Sequence, residues 1–152
     1  MTLLFPFAPH PVLVRGVLLL FAATGVLTLD QVRADPSPGH RANAAIDYAV
    51  MAERAAEFAG GRGDYIQFAV EIKNLVEAME LARDSFTAAG KTPLRQPASF
   101  KGAEMRSHEI LHRLADLRQK MDDDDRPLID GPIMKIEEIH DAWFDGIMGR
   151  KK

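Results

Sequence analysis

Proline placement constrains this chain more than any other feature. Past residue 34 the prolines stand only in pairs, at Pro36 and Pro38, Pro93 and Pro97, and Pro127 and Pro132. Proline lacks the N–H that a helix interior needs and clashes with the preceding turn, so each pair reads as a boundary between segments. Between the boundaries apolar residues recur every three or four positions, the period of a helix with one buried face. No stretch alternates with period two over a strand's length, and no internal repeat or low-complexity tract is present.

Four helical segments follow from this pattern. The first, Arg41 to Ala59, carries the stripe Tyr48, Met51, Ala52, Ala55, Phe58 and Ala59 and stops at Gly60-Gly61. The second starts after Asp64, whose carboxylate suits an N-cap, and carries Phe68, Ile72, Leu75, Val76, Met79, Ala82 and Phe86 before Gly90. The third, Ser99 to Met121, keeps a heptad-like seam through Ala103, Ser107, Ile110, Leu114, Leu117 and Met121. The fourth begins near Pro132, capped by Asp130 or Gly131, and packs Ile133, Ile136, Ile139, Trp143 and Ile147. Four amphipathic helices with short connections predict an all-α fold, an antiparallel up-down-up-down four-helix bundle over residues 41–148. Residues 35–40 are then a linker and residues 149–152, Gly-Arg-Lys-Lys, a basic tail.

The amino terminus reads differently. After Arg15 comes an uncharged, mostly apolar run, Gly16 to Leu29, of 14 residues. That length fits the ~7 to 15 residues of a signal-peptide core and falls short of the ~20 that span a bilayer. Val32-Arg33-Ala34 offers compact residues at −3 and −1, which predicts a signal peptide over residues 1–34 with cleavage after Ala34. The alternative is an uncleaved membrane anchor. The Pro-rich lead from Phe5 to Pro11 also leaves room for a start codon further downstream. The expected location is periplasmic or secreted, or, with the anchor, on the membrane and facing outside the cytoplasm.

Composition narrows the chemistry. The 152 residues hold 19 Lys+Arg against 22 Asp+Glu, and cleavage after Ala34 would remove Arg15, Arg33 and Asp30 to leave a net charge of −4. A basic footprint for nucleic acid is missing. With no cysteine, disulfides, thiolate zinc sites, thiol catalysis and covalently attached haem are excluded. No Ser/His/Asp elbow or Gly-rich phosphate loop stands in the sequence. Asp122 to Asp125 lack the alternate ligands and the glycine of a calcium loop and read as a solvated acidic turn.

Two sets of residues remain as candidate sites. His108-Glu109-Ile110-Leu111-His112 fits H-E-x-x-H, a helical spacing that puts two histidines on one face to hold zinc with the glutamate as general base. At about 100° per residue, however, His108 and His112 point about 140° to 180° away from the seam of their own helix. The second set is Met51 and His140. His140 falls on the apolar face of the last segment near Trp143. If the first and last helices are antiparallel neighbours, both residues lie ~13 Å from the same end of the bundle.

With an exported four-helix plan, a Pro-bearing loop between the second and third helices, and a Met on the first helix opposite a His on the last, the chain resembles the periplasmic b-type cytochromes. In that family the ligands lie near the chain termini; here they are mid-helix. The resemblance implies non-covalent haem held by Met51 and His140 in an electron carrier. From the residues themselves the expectation is an exported, non-enzymatic bundle that binds an unidentified protein or small ligand, touching a membrane only through an uncleaved N-terminal segment. Its alternatives are the haem carrier and a zinc-dependent hydrolase using His108 and His112.

Overall fold

The computed structural model describes residues 27–150. They form five helices, α1 (Leu29–Arg33), α2 (Pro38–Gly61), α3 (Tyr65–Ala88), α4 (Pro97–Lys120) and α5 (Pro127–Ile147), with no strand among the described residues. The fold is all-α, as the periodicity predicts. Most of the apolar run from Gly16, and Lys151 and Lys152 of the tail, lie outside the described residues.

Prolines start helices here more than they separate them. Pro38, Pro97 and Pro127 each open a helix, where the missing N–H has no intrahelical partner to lose. The expected linker over residues 35–40 therefore shrinks, because α2 already begins at Pro38. Pro132, expected at the start of the last helix, lies inside α5. It falls only five residues after the first, so the carbonyl it leaves unbonded is that of Leu128 on an exposed first turn. Asp64 caps α3 as expected, its carboxylate accepting from the Gln67 N–H at 3.1 Å. Gly63 between α2 and α3 has φ 71°, a left-handed conformation open to glycine.

α2 and α3 share the most extensive interface. They run antiparallel, with Arg41 bonded to Ser85 at one end and Gly60 against Phe68 at the other. The buried face of α2 is a row of alanines, Ala42, Ala45, Ala49, Ala52, Ala56 and Ala59, joined by Ile46. This corrects the expected stripe: Met51 is 43% and Phe58 65% exposed. Alanines win the interior because they let the two backbones approach closely, leaving the volume to Phe68, Ile72, Leu75, Met79 and Phe86 of α3.

α4 and α5 form a second antiparallel pair. Arg118 near the end of α4 binds Asp130 near the start of α5, each charge at the helix terminus whose dipole favours it. The seam of α4 faces inward, with Ser107, Ile110 and Leu114 buried. Across the two pairs the neighbours are parallel. Asp47 and Glu53 of α2 meet Arg106 and Arg113 of α4, while Glu80 and Phe86 of α3 meet Lys135 and Trp143 of α5. The order around the core is thus α2, α3, α5, α4, with α2 and α5 diagonal to each other rather than packed as neighbours. The adjacency of first and last helices assumed for Met51 and His140 is absent, because the connection after α3 crosses the end of the molecule. It is pinned there by Pro93 against Gly146, where a Cβ would come within 2.7 Å of the proline ring.

The helix Leu29–Arg33 is integral to the packing. A reciprocal cap between Thr28 and Gln31 starts it, Leu29 and Val32 are buried, and Arg33 reaches Glu77 of α3 at 2.5 Å. The expected cleavage site, Val32-Arg33-Ala34, thus covers the end of a packed helix and its C-cap.

Leu114 is fully buried and His108 is exposed. Leu114→Ala should therefore destabilise by about 2 to 5 kcal/mol and His108→Ala by less than about 0.5 kcal/mol in urea denaturation. Similar losses at both positions would contradict the orientation of α4.

Candidate functional site

The densest group of chemistry-bearing side chains lies where α4 meets α5. His140 projects from α5 with 13% of its side chain exposed. Its Nδ1 is 3.0 Å from Ser107 Oγ, and the Ser107 hydroxyl donates to the Glu104 carbonyl oxygen at 2.8 Å. With that proton committed, the serine oxygen accepts from Nδ1–H, which assigns the ring's tautomer through the hydrogen-bond network. His140 Nε2 then faces Glu104 Oε1 at 4.0 Å. The Phe144 ring stacks on His140 at 6.2 Å with 18° between planes, and the His108 ring lies 5.7 Å away. Ser107 itself is 0% exposed, so this Ser-His-Glu set presents no hydroxyl to a substrate.

His112 is on the outer side of α4, its Nδ1 3.4 Å from Asp116 one turn further on. His108 is also exposed but leans toward α5, so the two histidines of the H-E-x-x-H string have different neighbours. Met51 projects outward from α2, and the helix that carries His140 lies diagonally across the core rather than beside α2. The structure therefore does not bring Met51 and His140 together. Among the described residues no group of three or more His, Asp or Glu side chains is arranged to hold a metal ion.

A second polar feature escaped the sequence pattern. Glu53 is 2% exposed, deep between α2 and α4, and bonds Arg113 at 3.1 Å. Burial pushes its carboxyl above the usual glutamate range, and the Arg113 charge only partly offsets this. A glutamate at this place looks solvated if the stripe of α2 is drawn through Met51 and Phe58. The alanine row at positions 42, 45, 49, 52, 56 and 59 is the signal that would have put it inside.

Since the folded state binds the Glu53 proton more tightly than the unfolded chain does, this group's contribution to stability falls as pH rises from about 4.5 through its raised value. Arg113→Ala leaves the buried carboxylate without a counter-charge. It should cost about 3 kcal/mol near pH 7.5, the low end for breaking a buried pair because Arg113 is half exposed, and clearly less at pH 4.5. Equal losses at both pH values, measured by thermal or urea unfolding, would contradict a charged Glu53 in the folded protein.

A scan against protein-family models, a search of curated proteins and a search of solved structures each found no match to this chain.

Proposed function

We propose that this chain is an exported protein, a four-helix bundle of two antiparallel helix pairs laid side by side with α1 added, that acts by binding a partner and not by turnover, and not the all-antiparallel up-down-up-down bundle that the periodicity predicts. The observation that carries this reading is an apolar groove of about 360 Å³ at the N-terminal ends of α3 and α5. Ala69, Ile72 and Val76 form one wall, and Leu128, Gly131 and Pro132 the other. One turn away on either helix stand Ile66, 85% exposed, and Met134, 69% exposed. The flanking Lys73 and Lys135 are already paired with Glu77 and Glu80, so the groove selects by apolar contact. Its occupant is an amphipathic helix of another protein, whose apolar anchors at helical spacing suit a trough between two helices lined by Ile72, Val76 and Leu128. The buried hydroxyl of Ser107 supports binding over catalysis.

Export rests on the apolar run after Arg15, and the packing of α1 supports a cut upstream of the one expected from sequence. Gly16 to Ala22 supplies seven apolar residues, and Ala23-Thr24-Gly25 puts small residues at −3 and −1. Cleavage after Gly25 keeps the Thr28 cap, Leu29 and Val32; cleavage after Ala34 discards them.

Two measurements test this reading. A photo-crosslinking residue placed at Gly131 in cells should trap one discrete partner, and Leu128→Asp should abolish the adduct without altering the thermal midpoint. No adduct, or one indifferent to Leu128→Asp, refutes the groove. Amino-terminal sequencing of protein recovered from the periplasm should begin at Val26. A chain starting at Asp35 would restore the downstream site, and Met1 on membrane-bound material would establish the anchor. A protein made to start at Asp35 should be less stable by about 3 kcal/mol, the lower sum for exposing the Leu29 and Val32 contacts.

A further inference from the structure

At the end of the molecule opposite the apolar groove, the first half of α2, the close of α3 and the start of α4 line a cleft of about 370 Å³. Its apolar wall is Ile46, Phe86 and Ala103, each at most 5% exposed. The Phe100 ring, 4.4 Å away between centroids, packs on Phe86, so this wall is fixed before anything binds. A preformed apolar wall with a few polar groups beside it, at this volume, is the usual form of a small-molecule site.

The polar side of the cleft carries an uncompensated positive charge. Lys91, Arg106 and Asp47 line it, and Asp47 is already the partner of Arg106. Unlike Lys73 and Lys135, which pair with Glu77 and Glu80, Lys91 has no acidic partner among the described residues. The end of α3 fixes its backbone: Gly90 takes φ 69°, and the Lys91 N–H donates to the Phe86 carbonyl oxygen at 3.0 Å. The ammonium lies beside Gly39 in the first turn of α2, where a Cβ would stand 3.9 Å from Nζ. A cation is thus held at the positive end of a helix dipole, with the start of the parallel α4 at the same end. An anion joining Lys91 relieves that repulsion.

We infer that this cleft binds a small organic monocarboxylate, its carboxylate on the Lys91 ammonium and its apolar body against Ile46, Phe86 and Ala103. One uncompensated cation matches a single negative charge, and the Asp47 carboxylate on the same lining disfavours a dianion such as phosphate. An inorganic anion leaves the apolar wall wet, and a neutral hydrocarbon leaves Lys91 without a counter-charge. The Ser99 hydroxyl, which also lines the cleft, is a neutral donor for the carboxylate. Gly102 of α4 keeps the space clear, since a Cβ there meets nothing within 4 Å. The site is separate from the groove between α3 and α5 and does not depend on it.

The test is calorimetric titration of the purified protein with benzoate, and with benzamide and inorganic phosphate, which lack the charge and the apolar body respectively. Benzoate should saturate with a Kd below about 1 mM, and the other two should bind at least about tenfold more weakly. Lys91→Gln should weaken benzoate at least about tenfold. Gly102→Leu should abolish binding by filling the cleft, while the thermal midpoint holds or rises, because leucine suits a helix better than glycine and its Cβ enters open space. Leu128→Asp, in the apolar groove, should bind benzoate like the parent. No saturable benzoate binding below about 1 mM, benzamide or phosphate binding as tightly, or full affinity in Lys91→Gln or Gly102→Leu would each overturn the proposal. So would a loss in Leu128→Asp, which would place the carboxylate in the groove instead.

Discussion

The rest of this structure depends on how closely α2 lies against α3. Six alanines on one face of α2 add almost no side-chain volume between the two backbones. The larger residues of α3 therefore fill the centre of the molecule, and α2 presents its next face to α4. That face carries Asp47 and Glu53, which fixes Arg106 and Arg113 as their partners. Had the bulky Met51 and Phe58 been inside, α2 would be rotated and the charged side chains of α4 would face nothing.

The arrangement of the two antiparallel pairs has an electrostatic cost and a visible response to it. Laying them side by side with α2 parallel to α4, and α3 parallel to α5, brings like ends of the helix dipoles together. These are the interfaces crossed by Arg106–Asp47, Arg113–Glu53 and Lys135–Glu80. The half-exposed pairs contribute only about 0 to 1 kcal/mol each. Their larger effect is to set register, since each joins residues at matching heights on two helices. The aromatic group Phe86, Phe100 and Trp143 then closes one end, with Phe86 and Trp143 edge-to-face at 5.9 Å.

Much of this was legible in the residues, and the reasons for the exceptions are physical. The inward seam of α4, the core faces of α3 and α5, and the Asp64 cap follow from period and chemistry at positions such as Leu75, Leu114 and Ile139. The face of α2 did not, because weighing residues by hydrophobicity favours Met51 and Phe58 over alanine, whereas close packing selects the smallest side chain. Proline in a sequence suggests a separator, but its fixed φ serves a first helical turn equally well, as at Pro38 and Pro127. The order of helices around the core is not encoded in periodicity at all. For this reason Met51 and His140 looked like neighbours on paper, and the nearness of His140 to Glu104 and His108 could not be foreseen.

The sparing turn from Arg62 to Asp64 also bears on how the molecule assembles. Next to this turn the contacts between α2 and α3 are local, as at Gly60 against Phe68, so the hairpin closes at low entropic cost and zips outward from there. α1 docks on the same two helices, which means that the first half of the chain to leave the ribosome already contains a coherent unit. In the folded chain Glu53 is covered by α4, so in that unit α4 is not yet there to bury it. Its dehydration waits for α4, which arrives carrying Arg113, so the carboxylate is withdrawn from water only as its counter-charge is delivered.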